Sequence, residues 1–277
     1  MGLFDYFKEK VTEPVHHEDE DNISLSEGAH ILVNCKNVSL SGSVCVLEST
    51  DTEYIEVSGR AKIQVMHSGT IKLLCNKASI GMVKTGVIEK ATDDAEITTL
   101  NYCQFEYVAG RTKIGTFNDG SIKFMDKNAF ISTFNSGQIM FMRNNSKIGT
   151  LINGNIAGLE NNAQIDTMMN GQIGYMLNKA KIGTINAGEV RDLCDNASIK
   201  TLNEGEVLHM MGGSMIYQQI GGAVKSRSGQ AILIYTKEKK KEELSLSNQI
   251  EMDIDIANVT VKKPNKKESR KIFDNLS

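Results

Sequence analysis

The chain has 277 residues, of which 40% are hydrophobic and 23% are charged, and its formal net charge is −3. This balance does not favour nucleic-acid binding as the main function, because nucleic-acid-binding proteins usually carry a strongly basic surface. The sequence contains no signal peptide, no run of 18 apolar residues and no regular spacing of its five cysteines, so we expect reduced thiols and a cytoplasmic protein, membrane-associated or assembled into a virion.

Residues 1–22 predict an amphipathic segment followed by an acidic linker. The first ten residues predict a short helix whose apolar edge is formed by Leu3, Phe4 and Phe7. Such an edge suits docking on a membrane surface or a partner, and the alternative is a cap on the β-structure or a disordered end. The acidic residues around His16 and His17 are typical of a solvated linker rather than a metal site.

Residues 23–60 alternate apolar and polar side chains without a fixed period, and they predict an N-terminal β cap. Residues 61–230 then contain ten consecutive copies of a 17-residue unit. The unit reads small-x-Ile-x-Thr-apolar-x-x-Gly-x-Ile-x-x-apolar-x-x-Asn, and position 3 is Ile in all ten copies, from Ile63 to Ile216. A fixed period of this kind indicates a repeat architecture in which each unit buries its apolar face against its neighbours.

A 17-residue unit is too short for helical repeats, which need roughly 33 to 47 residues. The recurring Ile, Gly and Asn are instead strand and turn signals. The sequence therefore predicts an all-β fold, a single-stranded parallel β-solenoid (β-helix) of about ten coils. Positions 3, 6, 11 and 14 of each unit are expected to point inward.

Two further columns recur at fixed positions of the unit. Position 5 is Thr in seven consecutive units, from Thr99 to Thr201, and this column predicts a structural hydroxyl ladder or, less simply, a binding face. Position 13 carries four aromatic residues, namely Tyr107, Phe124, Phe141 and Tyr175. If these side chains point outward they form a candidate interaction surface for glycan or protein, and if they point inward they belong to the core.

The residues after the repeat predict C-terminal strands over 231–261 and a basic flexible tail over 262–277. Ile250, Met252, Ile254 and Ile256 alternate with acidic residues, which favours a half-buried strand on this solenoid or on another subunit. The tail is a candidate phosphate-binding segment or a solvated end. Its basic residues are Lys262, Lys263, Lys266, Lys267, Arg270 and Lys271.

No motif for phosphate, dinucleotide or zinc binding occurs, and no Gly-x-Ser-x-Gly sequence occurs either. Carboxylates of the repeat do not form a column at one position of the unit. We therefore expect a protein that is not an enzyme, with no catalytic, cofactor-binding or metal-binding residues and no cofactor.

The regular Ile and Gly coils of residues 61–230, preceded by the segment with Phe4 and Phe7, resemble bactofilins. That resemblance implies a β-helical, polymer-forming cytoskeletal protein with self-association and peripheral membrane contact. The coils also resemble β-solenoid repeat proteins of phages and mobile elements, which implies a virion, tail or receptor-binding component. A carbohydrate-active β-helix enzyme is the alternative from a different class.

Overall fold

The computed structural model describes residues 13–235, and over this range the chain is an all-β parallel β-solenoid of about 13 coils. The predicted fold class is confirmed. The predicted N-terminal helix with Leu3, Phe4 and Phe7, the strand over 250–256 and the basic tail lie outside the described residues. Within 13–235 no helix is present that is long and apolar enough to cross a membrane.

Each coil contributes two strand segments, and equivalent segments of successive coils pair in parallel to form two ladders. The first ladder contains β1 (Val15–Glu18), β3 (Ala29–Val33), β5 (Cys45–Thr50), β7 (Lys62–Met66), β12 (Phe130–Phe134), β14 (Lys147–Leu151), β16 (Gln164–Met168), β18 (Lys181–Ile185), β20 (Ser198–Leu202), β22 (Met215–Gln219) and β24 (Ile232–Tyr235). The second contains β2 (Ser24–Leu25), β4 (Val38–Leu40), β6 (Thr52–Val57), β8 (Gly69–Leu74), β13 (Gln138–Met142), β15 (Gly154–Leu159), β17 (Gly171–Met176), β19 (Glu189–Leu193), β21 (Glu206–Met210) and β23 (Ala223–Arg227). Three longer strands contribute to both ladders: β9 (Ser79–Ala91), β10 (Glu96–Val108) and β11 (Lys113–Met125).

The core lies between the two ladders and is built from the predicted inward positions. Every position-3 Ile from Ile63 to Ile216 is buried, and so are the residues at positions 6, 11 and 14 in the first nine repeat units. Position 1 is also buried, which explains why it is always Ala, Ser or Thr. Each large buried side chain stabilises the fold by about 1.5–3 kcal/mol, and coils spaced by about 4.8 Å make a stack about 6 nm long.

The solenoid begins earlier than the repeat in the sequence. Strand β1 pairs with β3 at an offset of 15 residues, as in Val15 opposite His30. The offset grows to 16 where Ala29 faces Cys45 and reaches 17 after the irregularity at Ile31. The segment predicted as a cap, residues 23–60, thus forms coils of the same stack, and the changing coil length hides them from a search for a fixed period.

The turns between coils explain the polar column at position 16 of the unit. Position 16 adopts the left-handed conformation in unit after unit, with φ of 59° at Asn76 and 60° at Asn178. Asn, Asp and Gly tolerate this conformation, which accounts for their recurrence there. Side-chain amides also form hydrogen bonds from coil to coil, as where Asn161 Nδ2 donates to Asn144 Oδ1 at 2.8 Å.

The position-5 threonines are half-buried, and no hydrogen bond joins neighbouring hydroxyls of that column within 13–235.

Candidate functional site

The four aromatic residues at position 13 form a half-exposed column on the outside of the second ladder, which we call the aromatic column. The rings of Phe124 and Phe141 stack with centroids 5.7 Å apart, and Tyr107 lies tilted at 6.5 Å from Phe124. Tyr175 is two coils further on, beyond Gly158. The structure therefore brings the predicted side chains together along one edge and places them at the surface rather than in the core.

Arg143 lies against this column. Its guanidinium carbon is 4.9 Å from the Phe124 ring centroid and 5.9 Å from that of Phe141, distances at which a cation is attracted to an aromatic face. Its Nη2 lies 3.9 Å from Asp126 Oδ2. The column is thus covered in part by a cation held in place by a neighbouring carboxylate.

Asp126 is a buried carboxylate that anchors the column. Burial opposes its ionised form, but hydrogen bonds from Asn144 Nδ2, the Lys127 backbone N–H and the Tyr107 hydroxyl, together with Arg143, outweigh burial and lower the pKa of Asp126. The burial of Tyr107 and the charge of Asp126 raise the pKa of Tyr107 in turn. The Tyr107 hydroxyl therefore already has a hydrogen-bond acceptor within the protein, the Asp126 carboxylate.

Replacing Asp126 with Asn should destabilise the solenoid at pH 7 by about 1–3 kcal/mol, since hydrogen bonds to a charged acceptor are lost. The folded-state pKa of Asp126 is lowered, so its stabilising contribution is present above the unfolded pKa of about 3.9 and is lost as pH falls through the folded value. The difference between wild type and variant, measured by urea unfolding, should shrink from pH 7 to pH 3. The control is Asp93→Asn, which changes an exposed carboxylate. A stability difference between wild type and Asp126→Asn that widens in acid would contradict a stabilising role of the Asp126 carboxylate.

Tyr175 differs from the other members of the column. Its ring reaches over Gly158, where a Cβ would lie 2.5 Å from the Tyr175 hydroxyl oxygen, and that hydroxyl donates to Glu160 Oε1 at 2.8 Å. Burial and the Glu160 carboxylate raise the pKa of Tyr175 to about 12. The missing side chain at Gly158 therefore decides where the Tyr175 ring lies.

A groove with a volume of about 950 Å³ runs beside the aromatic column along the outer face of the second ladder. Its two walls are the outward side chains at positions 10 and 12 of seven successive coils, and backbone at the inward position 11 forms its floor. The position-10 wall contains Val87, Gln104, Ser121, Gln138, Asn155, Gln172 and Glu189. The position-12 wall contains Glu89, Glu106, Lys123, Met140, Ala157, Gly174 and Arg191.

Sequence reasoning singled out the aromatic column and missed the groove. A signal was present, because residues on either side of an inward strand residue must point outward. Position 10 flanks the inward position 11 and is an amide in four of these seven coils, at Gln104, Gln138, Asn155 and Gln172. The depth of the groove, however, depends on small residues at Ala157 and Gly174 in two successive coils.

Two carboxylates stand side by side in the groove. Glu89 and Glu106 occupy position 12 of neighbouring coils, so their Cα atoms are about 4.8 Å apart. Both are exposed, and Glu106 forms an ion pair with Lys123. Within 13–235 no group of three or more His, Cys, Asp or Glu side chains is arranged to hold a metal ion.

The two ends of the described solenoid carry opposite charge. Residues 13–28, the first coil, contain six acidic residues and no Lys or Arg, which gives a formal charge of −6 with neutral His. The last 17 described residues, 219–235, contain Lys225 and Arg227 and no acidic residue, which gives +2. All six acidic side chains of the first coil are exposed, among them Glu18, Asp19 and Asp21.

Comparison with protein-family models, with curated proteins and with solved structures finds no match to this chain. The β-solenoid fold accordingly rests on the structure and on the repeat in the sequence.

Proposed function

We propose that the chain is a non-enzymatic structural rod whose copies associate head to tail. The opposite charge of the two ends carries this proposal. A head-to-tail junction places the −6 first coil against the +2 last coil, whereas a head-to-head junction places two −6 coils together. A heterologous junction that does not close into a ring generates a filament.

The edges of the ladders support the same arrangement. Within residues 13–235, strands β1 and β2 begin the two ladders and β23 and β24 end them. In a head-to-tail junction, backbone groups on the outer edges of these strands would pair between copies. Apolar side chains at the last coil, including Val224 and Leu233, are only partly buried. Filament formation is also what the resemblance to bactofilins implies, while a closed particle is what the resemblance to virion proteins implies.

Negative-stain electron microscopy of the full-length protein at about 0.02 M and about 0.5 M salt tests this proposal, because salt screens charge at the junction. We expect filaments one solenoid wide at low salt and shorter rods at high salt. The Lys225→Glu/Arg227→Glu double variant should shorten the filaments at low salt. The matched control is Lys181→Glu/Lys200→Glu, which makes the same charge change on the exposed lateral face of the first ladder.

A reversal at the other end makes the test sharper. Combining Lys225→Glu/Arg227→Glu with Glu18→Lys/Asp21→Lys should lengthen the filaments again, because the first coil changes from −6 to −2 and its repulsion from the reversed last coil, now −2, becomes weaker. Discrete particles of fixed stoichiometry at every salt concentration would contradict head-to-tail assembly and would favour a virion component. Filaments whose length is unchanged by all four substitutions would contradict the role of the end charges.

The Glu89 and Glu106 pair favours glycan hydrolysis as a second candidate function, since glycosidases use two carboxyl groups that flank the scissile bond. Both side chains lie open to solvent, without the apolar enclosure that sets the roles of acid and nucleophile apart in such enzymes. Incubation with neutral hexasaccharides separates the two candidates. A structural rod leaves them intact, whereas hydrolysis that is lost in Glu89→Gln would establish the enzyme.

A further inference from the structure

We propose that the groove beside the aromatic column binds an extended, uncharged oligosaccharide. This inference is independent of head-to-tail assembly, because the groove lies on the lateral face. The groove spans seven coils, so it is about 29 Å long at about 4.8 Å per coil. Its volume of about 950 Å³ lies within the range of known ligand sites.

The position-10 wall supplies hydrogen-bonding groups that the protein itself leaves unused. The side-chain amides of Gln138, Asn155 and Gln172 are exposed, and the hydrogen bonds found within 13–235 do not engage them. Amides elsewhere in the solenoid pair between coils, as where Asn118 Nδ2 donates to Asn101 Oδ1 at 2.8 Å. An amide offers both donors and an acceptor, which matches the hydroxyl groups of a sugar, and it recurs at a spacing close to the length of one pyranose residue.

The charge of the groove disfavours a polyanion. Three carboxylates (Glu89, Glu106 and Glu189) and two cations (Lys123 and Arg191) line it, which leaves a formal charge of −1. Glu106 and Lys123 neutralise each other in an ion pair. Nucleic acids and acidic polysaccharides are held mainly by basic side chains, and this groove does not provide an excess of them.

An extended peptide fits the groove less well than an oligosaccharide does. Peptides that bind to sheets gain much of their affinity from backbone hydrogen bonds at an exposed edge. The groove floor lies in the middle of the second ladder, where β13 pairs with β11 on one side and with β15 on the other. The walls also lack a row of apolar pockets, since Val87 and Met140 are the large apolar side chains among them.

One wall is interrupted beside the aromatic column. Ala157 and Gly174 leave position 12 nearly empty in two coils, and the ring of Tyr175 lies over the adjacent Gly158. Pyranose rings present an apolar face of C–H groups that packs on aromatic rings, and an aromatic ring offers a large contact area at low conformational cost. The gap therefore opens the groove wall on the side next to Gly158, over which the Tyr175 ring lies.

Isothermal titration calorimetry of the full-length protein at about 0.5 M salt tests this proposal, because salt screens charge between molecules whereas an uncharged ligand is unaffected by it. The probes are cellohexaose, chitohexaose and maltohexaose, with hexagalacturonic acid and an unstructured peptide as alternatives. We expect saturable binding of at least one neutral hexasaccharide at one per groove. The Gln138→Ala/Gln172→Ala variant should raise its dissociation constant at least tenfold.

Ala157→Lys should raise the dissociation constant at least tenfold as well, because it rebuilds the missing wall and covers the gap. Lys123 occupies the same position of another coil, so the substitution is compatible with the fold, and thermal melting confirms that each variant is folded. The matched control is Gln64→Ala, an exposed glutamine on the first ladder, which should bind like wild type.

Three outcomes would overturn the proposal. The first is that no neutral hexasaccharide binds. The second is that the groove variants bind as tightly as the Gln64→Ala control does. The third is that only hexagalacturonic acid or the peptide binds, which would assign the groove to a different class of ligand. None of these outcomes bears on the filament experiment, so the two proposals fail separately.

Discussion

The Phe134→Ala variant should lose about 3–5 kcal/mol of the free energy of unfolding, the usual cost of removing a fully buried phenylalanine. Phe134 is 0% exposed at position 6 of its coil. Its ring stacks on Phe117 of the preceding coil with centroids 4.8 Å apart and planes 16° from parallel. The ring also fills the space that a Cβ at Gly154 would need, so it contacts the opposite ladder. Its loss leaves a cavity that two coils and both ladders line.

Urea unfolding followed by circular dichroism measures this effect. The matched control is Phe130→Ala in the same coil, because Phe130 occupies the outward position 2 and is only partly buried. We expect its loss to cost less than about 1.5 kcal/mol. Equal destabilisation by the two substitutions would contradict the position-6 core. A central coil contacts neighbours on both sides, so the defect should weaken the stack more than the same change in a terminal coil.

Gly120→Ala should destabilise the solenoid by at least about 2 kcal/mol, although it adds a single methyl group. Gly120 has a φ of +126°, a backbone conformation that residues other than glycine rarely adopt. An added Cβ would also overlap the carbonyl oxygen of Cys103 in the preceding coil, which is backbone and cannot rotate away. The substitution therefore forces the chain to move at the corner between the two ladders.

The control for this prediction is Gly213→Ala in a turn at the C-terminal part of the stack. A Cβ at Gly213 would lie 3.0 Å from the side-chain oxygen of Asn196, which can shift, and other coils carry Lys or Asn at the same position. The difference between the two variants in thermal unfolding measures the effect of the corner alone. A Gly120→Ala protein as stable as Gly213→Ala would show that the backbone does not come close at position 9.

The aromatic column shows where the sequence pattern stops being informative. Positions 11 and 14 are both inward although they are three positions apart, as with Phe105 and Val108, so each strand bends between them. Alternation with a period of two predicts direction only along a regular strand. The direction of position 13 therefore could not be derived from the sequence, which left both core and surface open for Tyr107 and Phe124; the structure places them at the surface.

The sequence by itself determined the architecture of this protein, because a period held for ten coils requires every unit to bury the same positions against its neighbours. It thereby determined the inward columns. Only the tertiary structure decided the shape of the surface. The groove, the ring of Tyr175 over Gly158 and the cation of Arg143 against Phe124 each depend on side chains from different coils. Only the structure likewise showed that the N-terminal segment before residue 61 forms coils of the same stack. The length of these coils changes from 15 to 17 residues while the ladders continue unbroken.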